Sequence, residues 1–422
     1  MVTRTVLPNG LRLLVCPLPH VRTATIGFYV GAGARSEPQA KAGLAHFLEH
    51  MVFKGTPTYP TARRLSEAIE GVGGVLDAST GAESTLYWAK VAAEHFPLAL
   101  RVLTEMLLYP TIPPAEVEKE RRVIVEELHM LLDSPPDWAF ELLGQLLWPG
   151  HALGRDIAGT PESVGGIGRE DMLAYREAAY RAGSMVVVVA GAMPADEVAA
   201  ALGAALAGVG PGRPAAAVPA PPAVAEPRVL LGRRDIEQAN LCLALPGLSY
   251  KHPDRYAMFL LDTILGAGMS SRLFQTVREE RALAYNVYSA LREHEDTGAL
   301  TIYAGVAPEK AAECLAAIWE ELERLAGEEV GAEELARAQA YNKGRILLRM
   351  EDTYGVASWY GGQELLLEAI EEVDAVIAHI EAVRPADVHR LARALVRRDS
   401  IRLVAVGPFD DEAPLRAALG IS

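Results

Sequence analysis

Cysteine is nearly absent from this 422-residue chain: Cys16, Cys242 and Cys314 are far apart, odd in number and form no Cys-x-x-Cys pair. That argues against a disulfide framework or a thiolate zinc site, and suggests core thiols in a reducing compartment. Aromatic residues are few, at 6%, and basic residues are outnumbered, with 40 Lys and Arg against 55 Asp and Glu and a formal net charge of −15. Such a chain lacks the clustered cations that hold nucleic acid. Long apolar runs are missing as well. No window approaches the ~18 uninterrupted apolar residues of a membrane span. The run 185–190 is only strand-length, and the N-terminal ten residues lack the apolar core of a signal peptide. Neither nucleic acid nor a membrane is expected as a partner, and the cytoplasm is the expected location.

Proline, alanine and glycine crowd residues 208–227, where Pro211, Pro214, Pro219, Pro221 and Pro222 favour an extended, poorly burying segment. This reads as a linker, 209–228, between an N-terminal domain, 1–208, and a C-terminal domain, 229–422. The two halves look alike. A helical stretch from Asp171 leads to Ser184, an apolar strand and Gly191. Another from Asp387 leads to Ser400, an apolar strand and Gly407, all three at one offset. Acidic turns, Asp196-Glu197 and 410–412, follow both strands. Asn9-Gly10 between apolar runs signals a hairpin. Strands are expected at 23–30 and, as its counterpart, 238–245. Amphipathic helices are expected at 44–54, 61–72, 97–108 and 115–132. Strands and helices mixed with antiparallel hairpins indicate α+β architecture: two homologous α/β sandwiches, each an antiparallel-rich sheet with helices packed on it.

His46 and His50 are four apart on the first of these helices, so both imidazoles leave one face. Glu49 lies beside them, placed to address a metal-bound water rather than the metal. His46-Phe47-Leu48-Glu49-His50 is the HxxEH, or inverzincin, arrangement. An exposed amphipathic helix could carry the same three letters. Leu44, Phe47, Leu48, Met51 and Val52, however, give this helix an apolar surface to set against a core. A catalytic zinc needs a third protein ligand and an open position. The best candidate is Glu127, in a helix where Glu120 and Glu127 fall on one face two turns apart. One carboxylate can bind metal while the other orients a ligand. Glu116, Glu118 and Glu126 read as an ordinary solvated face.

With these residues in place, the chain resembles the pitrilysin/insulinase (M16) peptidases, which include the mitochondrial processing peptidases and bacterial relatives. The resemblance runs nearly the whole length. It is carried by Gly31-Ala32-Gly33-Ala34-Arg35-Ser36-Glu37-Pro38, the His46–Glu49–His50 motif, Met51-Val52-Phe53-Lys54-Gly55-Thr56, His151-Ala152-Leu153-Gly154-Arg155 and Gly159-Thr160. It implies zinc held by His46, His50 and Glu127, Glu49 as general base, and Glu120 as the carboxylate behind a ligand. Residues 74–80 and 83–88 resemble the family's edge strand, on which the substrate peptide adds as a further β-strand. Asp77, Ala78, Ser79 and Thr80 would then contact substrate, with Asp77 standing where the family often has Asn.

In the second half, Arg278 and Tyr285 resemble the family's Arg/Tyr pair, which holds substrate and stabilises the oxyanion. The helix equivalent to the metal helix, 255–265, has no histidine, so one zinc per chain is expected, in the N-terminal domain. In the family the zinc and the Arg/Tyr pair face each other across a closed chamber of four such domains. One chain supplies two, which implies a homodimer, or a heterodimer with a paralogous chain. The expected activity is a zinc-dependent endopeptidase acting on peptides or unfolded segments. Two readings compete: a non-catalytic or partner-dependent subunit of a heterodimeric processing peptidase, against which the complete motif argues, and a metal hydrolase of small amides, against which the peptide-pairing strand argues.

Overall fold

A computed structural model describes residues 2–213, 216–222 and 228–421. Parts of the Pro/Ala-rich linker, 214–215 and 223–227, lie outside the described residues. The chain forms two compact units, each a mixed sheet covered by helices.

The sheet of the first unit has the order β1-β2-β6-β3-β5-β4. Its strands are β1 (Thr3–Val6), β2 (Arg12–Pro17), β3 (Thr23–Val30), β4 (Val75–Thr80), β5 (Thr85–Ala92) and β6 (Met185–Gly191). β1 and β2 form the hairpin expected around Asn9-Gly10, β2 and β6 run parallel, and every other pairing is antiparallel. The helices, in chain order, are α1 (Leu44–Val52), α2 (Ala62–Glu70), α3 (Phe96–Leu108), α4 (Pro114–Asp133), α5 (Pro135–Leu147), α6 (Pro161–Gly165), α7 (Arg169–Ala179) and α8 (Ala195–Leu206). Asp196 and Glu197, expected in a turn, form the first turn of α8 instead, where carboxylates suit the positive end of the helix dipole.

The second sheet has the order β7-β11-β8-β10-β9, built from β7 (Arg228–Arg233), β8 (Ala239–Pro246), β9 (Ala284–Glu293), β10 (Gly298–Val306) and β11 (Arg402–Gly407). Its helices are α9 (Arg255–Gly266), α10 (Ala311–Gly327), α11 (Ala332–Met350), α12 (Thr353–Leu366), α13 (Val373–Ala382), α14 (Pro385–Leu395) and α15 (Ala413–Leu419). Strand for strand it repeats β2-β6-β3-β5-β4, with the same parallel pair and the same open edge. The repeat extends to local chemistry. The Asp171 carboxylate accepts the Gly168 N–H at 2.8 Å and the Asp387 carboxylate accepts the Arg384 N–H at 3.0 Å, so each caps the helix that precedes the central strand.

β6 explains where the cores lie. All seven of its residues are buried. Met185, Val187 and Val189 face the main core with Phe28, Phe47 and Leu103, while Val186, Val188 and Ala190 face a second cluster with Leu14, Tyr29, Val356, Ala357 and Tyr360. A strand covered on both faces carries a continuous apolar run rather than alternation. The cover on the second face is α12, which comes from the far end of the chain. The Arg12 guanidinium and the Glu364 carboxylate meet there, 3.3 Å apart, and Arg4 joins them at 2.9 Å. Thr25 and Thr353 share a hydrogen bond of 2.8 Å, and Trp88 packs on Tyr354. In return, α5 packs Ala139 and Leu143 on Cys242, Ala244, Val404 and Val406 of the second sheet.

The compact units are therefore Met1–His129, Arg155–Val218 and Leu347–Glu371 on one side, and Met130–Gly154, Pro219–Ile346 and Glu372–Ser422 on the other. This departs from the contiguous division 1–208 and 229–422. Each sheet has two apolar faces, and one face of each is closed by a helix from the other half of the chain. All three cysteines are buried. Among the described residues no helix is long and apolar enough to cross a membrane.

Candidate metal centre

The helix α1 that carries His46 and His50 is set in place at its N-terminus. Gly43 precedes it with φ 93°, and a Cβ there would collide with the Ala158 carbonyl. Gly159 approaches Ala42 as closely from the other side, so the segment around Gly159-Thr160 is the seat of the helix N-terminus. The Glu37 carboxylate accepts the N–H groups of Gly43 at 2.9 Å and Ala45 at 2.5 Å, satisfying two amides at the start of α1. Leu44, Ala45, Phe47, Leu48, Met51 and Val52 are buried, which leaves His46, Glu49 and His50 on the remaining face. On α4, Val117, Ile124 and Leu128 are buried together with Glu120, and Glu127 follows two turns after Glu120, less deeply covered.

These faces meet. One ligand atom from each of His46, His50 and Glu127 lies within 4.8 Å of the others. The Nε2 atoms of His46 and His50 are 3.2 Å apart, and His50 Nε2 is 3.8 Å from Glu127 Oε2. Two imidazole nitrogens on one tetrahedral zinc stand roughly 3.3 Å apart, so the pair has the spacing the metal requires. Two imidazoles and one carboxylate form a catalytic donor set that leaves a fourth position open. His50 Nδ1 is 2.9 Å from Glu120 Oε1. With its proton on Nδ1, His50 keeps the Nε2 lone pair free for a metal. Lys54 holds the other oxygen of Glu120. Nδ1 of His46 is buried and has no hydrogen-bond partner among the described residues.

The electrostatics divide the two histidines. Burial, reinforced by His50, pushes His46 down to about 4, so its imidazole is neutral across the physiological range. Burial also works against charge on His50, but the hydrogen bond to Glu120 and the charges of Glu127 and Glu49 outweigh it, and its pKa is raised. Burial likewise opposes the Glu120 carboxylate, yet the bonds from His50 and Lys54 bring it below the usual value. Glu49 is raised, chiefly by burial, with Asp77 and Glu127 adding to the effect and Thr80 and His50 opposing it. A carboxylate of raised pKa is the stronger base.

β4 is the edge of the first sheet, paired only with β5 among the described residues. Asp77, Ala78, Ser79 and Thr80 all lie on it. Thr80 Oγ1 donates to Glu49 Oε2 at 2.5 Å, so the strand reaches the centre directly. The Asp77 carboxylate turns back on its own strand and accepts the Ala78 N–H at 2.8 Å. Arg278 and Tyr285 belong to the second unit, where they adjoin each other. The Arg278 guanidinium lies 4.6 Å from the centroids of both the Phe274 and Tyr285 rings. The segment carrying Arg278, Phe274–Glu280, is π-helical, and Ala282 follows with φ 49°. Such irregular backbone is concentrated at functional sites. Tyr285 is 70% exposed. α9, the counterpart of α1, carries no histidine, and no other cluster of metal-binding side chains occurs among the described residues.

Three contributors were not apparent in the sequence: Glu37 as the cap of α1, Lys54 as the holder of Glu120, and Thr80 as the partner of Glu49. Lys54 alone has a local signal, its four-residue spacing from His50. Glu37 and Thr80 act across loops and sheet, where no periodicity exposes them.

Comparison with known proteins bears on this centre. Residues 15–161 match the family model described as insulinase (peptidase family M16), and residues 166–342 match that of the peptidase M16 inactive domain. An uncharacterized zinc protease of Streptomyces coelicolor is 37% identical over 422 residues, covering 98% of this chain and 91% of that protein. The uncharacterized zinc protease YmxG of Bacillus subtilis is 35% identical over 399 residues, covering 94% and 97%. A protease from Helicobacter pylori has the same fold, with a TM-score of 0.91 at 21% identity and coverage of 97% and 99%. So does a peptidase M16 inactive domain from Pseudomonas fluorescens, at 0.90 and 19%, with 97% and 98% covered.

Proposed function

The chain belongs to the insulinase (M16) family of peptidases, and we propose that it is a zinc-dependent endopeptidase that cleaves peptides or unfolded segments held against the open edge of β4. The observation that carries this reading is the meeting of His46, His50 and Glu127 within 4.8 Å, with Glu49 beside them. His46 and His50 would hold zinc through Nε2 and Glu127 through its carboxylate. Zinc, when bound, supplies Lewis acidity that polarises a scissile carbonyl and lowers the pKa of a water toward ~7. Glu49 accepts the proton of the attacking water and delivers it to the leaving amine. Glu120 holds His50 in the tautomer that binds metal. The edge of β4 offers main-chain hydrogen bonds to a peptide of any sequence, with side-chain pockets providing choice. Arg278 and Tyr285, contributed by a second copy or a paralogous chain, donate to the negative charge developing on the carbonyl oxygen.

The test is the full chain loaded with zinc and assayed on an internally quenched, unstructured peptide beside small amides. Peptide cleavage that a chelator abolishes, together with a Glu49→Gln variant that keeps zinc but loses turnover, supports the proposal. A Glu49→Gln variant of undiminished activity refutes the assignment of the base. Zinc-loaded chain that cleaves nothing until a paralogous chain is added identifies the partner-dependent subunit, and preference for the amides identifies a different hydrolase.

A further inference from the structure

Glu49 is anchored from a different side than the metal ligands. His50 is held by α4 through Glu120, whereas the hydrogen bond to Glu49 comes from Thr80, at the end of the edge strand β4. We propose that Thr80 is a positioning residue: its hydroxyl fixes the Glu49 carboxylate and so couples the edge that receives the peptide to the group that moves the proton. This inference rests on the reading of Glu49 as the general base.

A glutamate's terminal torsion is broad and roughly two-fold, so a carboxylate with no partner samples many orientations. A hydroxyl donating to a carboxylate oxygen forms a strong, charge-assisted bond. With Oε2 held by Thr80, Oε1 is the oxygen left to take a proton. The anchor is also in register with the strand. Thr80 pairs with Thr85 of β5, and its side chain leaves the face shared by Leu76 and Ala78, which pack on the core. A peptide added along β4 is thereby set at a fixed distance from the oxygen that takes the proton.

The second unit provides an internal comparison. There Ser289, on the equivalent edge strand β9, donates to Asp262 of α9 at 2.6 Å. Both residues are buried, and no histidine accompanies them on α9. A hydroxyl-to-carboxylate bridge from edge strand to helix thus occurs in both units, from different positions along the strand: Thr80 pairs with Thr85 at the hairpin end, Ser289 with Ile302 in mid-strand. In the second unit it is a clamp inside the protein. In the first unit the carboxylate it holds stands beside a metal-ligand set.

The experiment compares Thr80→Val, which keeps the branched shape and removes the hydroxyl, with Thr80→Ser, which restores it. Thr80→Ala serves as a second variant without the hydroxyl should the valine fail to fold. With the zinc-loaded full chain and the quenched peptide, Thr80→Val should lower kcat by about 10- to 100-fold with KM and zinc content unchanged. Thr80→Ser should stay within a few-fold of the parent. Adding Thr80→Val to Glu49→Gln should cost nothing further. Full kcat in Thr80→Val, a change confined to KM, or failure of serine to rescue overturns the inference while leaving Glu49 as the base. Undiminished activity of Glu49→Gln overturns both, so the two failures are distinguishable.

Discussion

Glu120 binds two cations or would-be cations at once: Oε1 lies 2.9 Å from His50 Nδ1, and Oε2 is paired with Lys54. Carboxylates behind a metal-binding histidine are typically worth about 10- to 100-fold in metal affinity. Glu120→Ala should therefore weaken zinc binding by roughly that factor, measured by competition with a chromogenic chelator. Lys54→Met should move affinity in the same direction by less, because it loosens Glu120 without removing it.

Metal removal should register in stability as well as in activity. A ligand that binds only the folded state at ~1,000 times its dissociation constant adds about 4 kcal/mol. Zinc should raise the thermal midpoint of the parent chain, and a chelator should reverse the rise. In His50→Ala and Glu127→Ala the response should shrink or vanish. Equal zinc responses in parent and variants, read by calorimetry, would place the metal elsewhere.

Glu37 predicts a pH dependence. Burial pushes its carboxyl up to about 7, against the pull of its bonds to Ala45 and Gly43. A group whose folded pKa is raised binds protons more readily in the folded state than in the unfolded one. Its contribution is intact below the unfolded value near 4.5 and is lost as pH rises through about 7. The full displacement corresponds to about 3 kcal/mol. Glu37→Gln removes the titrating group, although its amide can accept only one of the two N–H bonds, so the stability difference between parent and variant should shift in the variant's favour by about 1–3 kcal/mol from pH 4.5 to pH 8. Urea denaturation at the two pH values decides it; parallel curves would contradict it.

Glu364 is a fourth target. Its side chain is 1% exposed and faces Arg12 at 7%. Removing one partner of a buried pair leaves the other charge uncompensated, at about 3–5 kcal/mol. Glu364→Ala should lower stability on that scale, while replacing Glu368, half-exposed in its pair with Arg213, should change it by less than about 1 kcal/mol.

Much of this was visible in the residues. The strand expected at 23–30 is β3, residue for residue, because Thr, Ile, Phe, Tyr and Val are dense there. The helix expected at 44–54 stops at Val52, since Phe53 and Lys54 fold back on His50 and Met51 in a tighter turn before Gly55. The three residues that meet as a candidate metal site, His46, His50 and Glu127, were singled out by helical spacing and the family resemblance together. What could not be read was the destination of α5 and α12. An apolar helix face records that it must be covered, not by which sheet. α12 shows only a faint trace of its address in Gly361, where a Cβ would strike the Tyr29 ring. The bridge from Thr80 to Glu49 was hidden for a similar reason, since it joins a strand to a helix across intervening chain.

The exchange of helices also sets a schedule for making the protein. The sheet beneath the metal helix has all its strands once β6 has left the ribosome, but one of its faces, with Leu14, Tyr29, Val186 and Val188, stays bare until α12 is synthesised. At ~5–20 residues per second that wait is on the order of ten seconds. During it the nascent chain carries an unsealed apolar surface, with its own α5 destined for a sheet not yet translated. Neither half of the gene would then encode a self-sufficient product, and a chain cut in the linker should regain its solubility only when both pieces are made together.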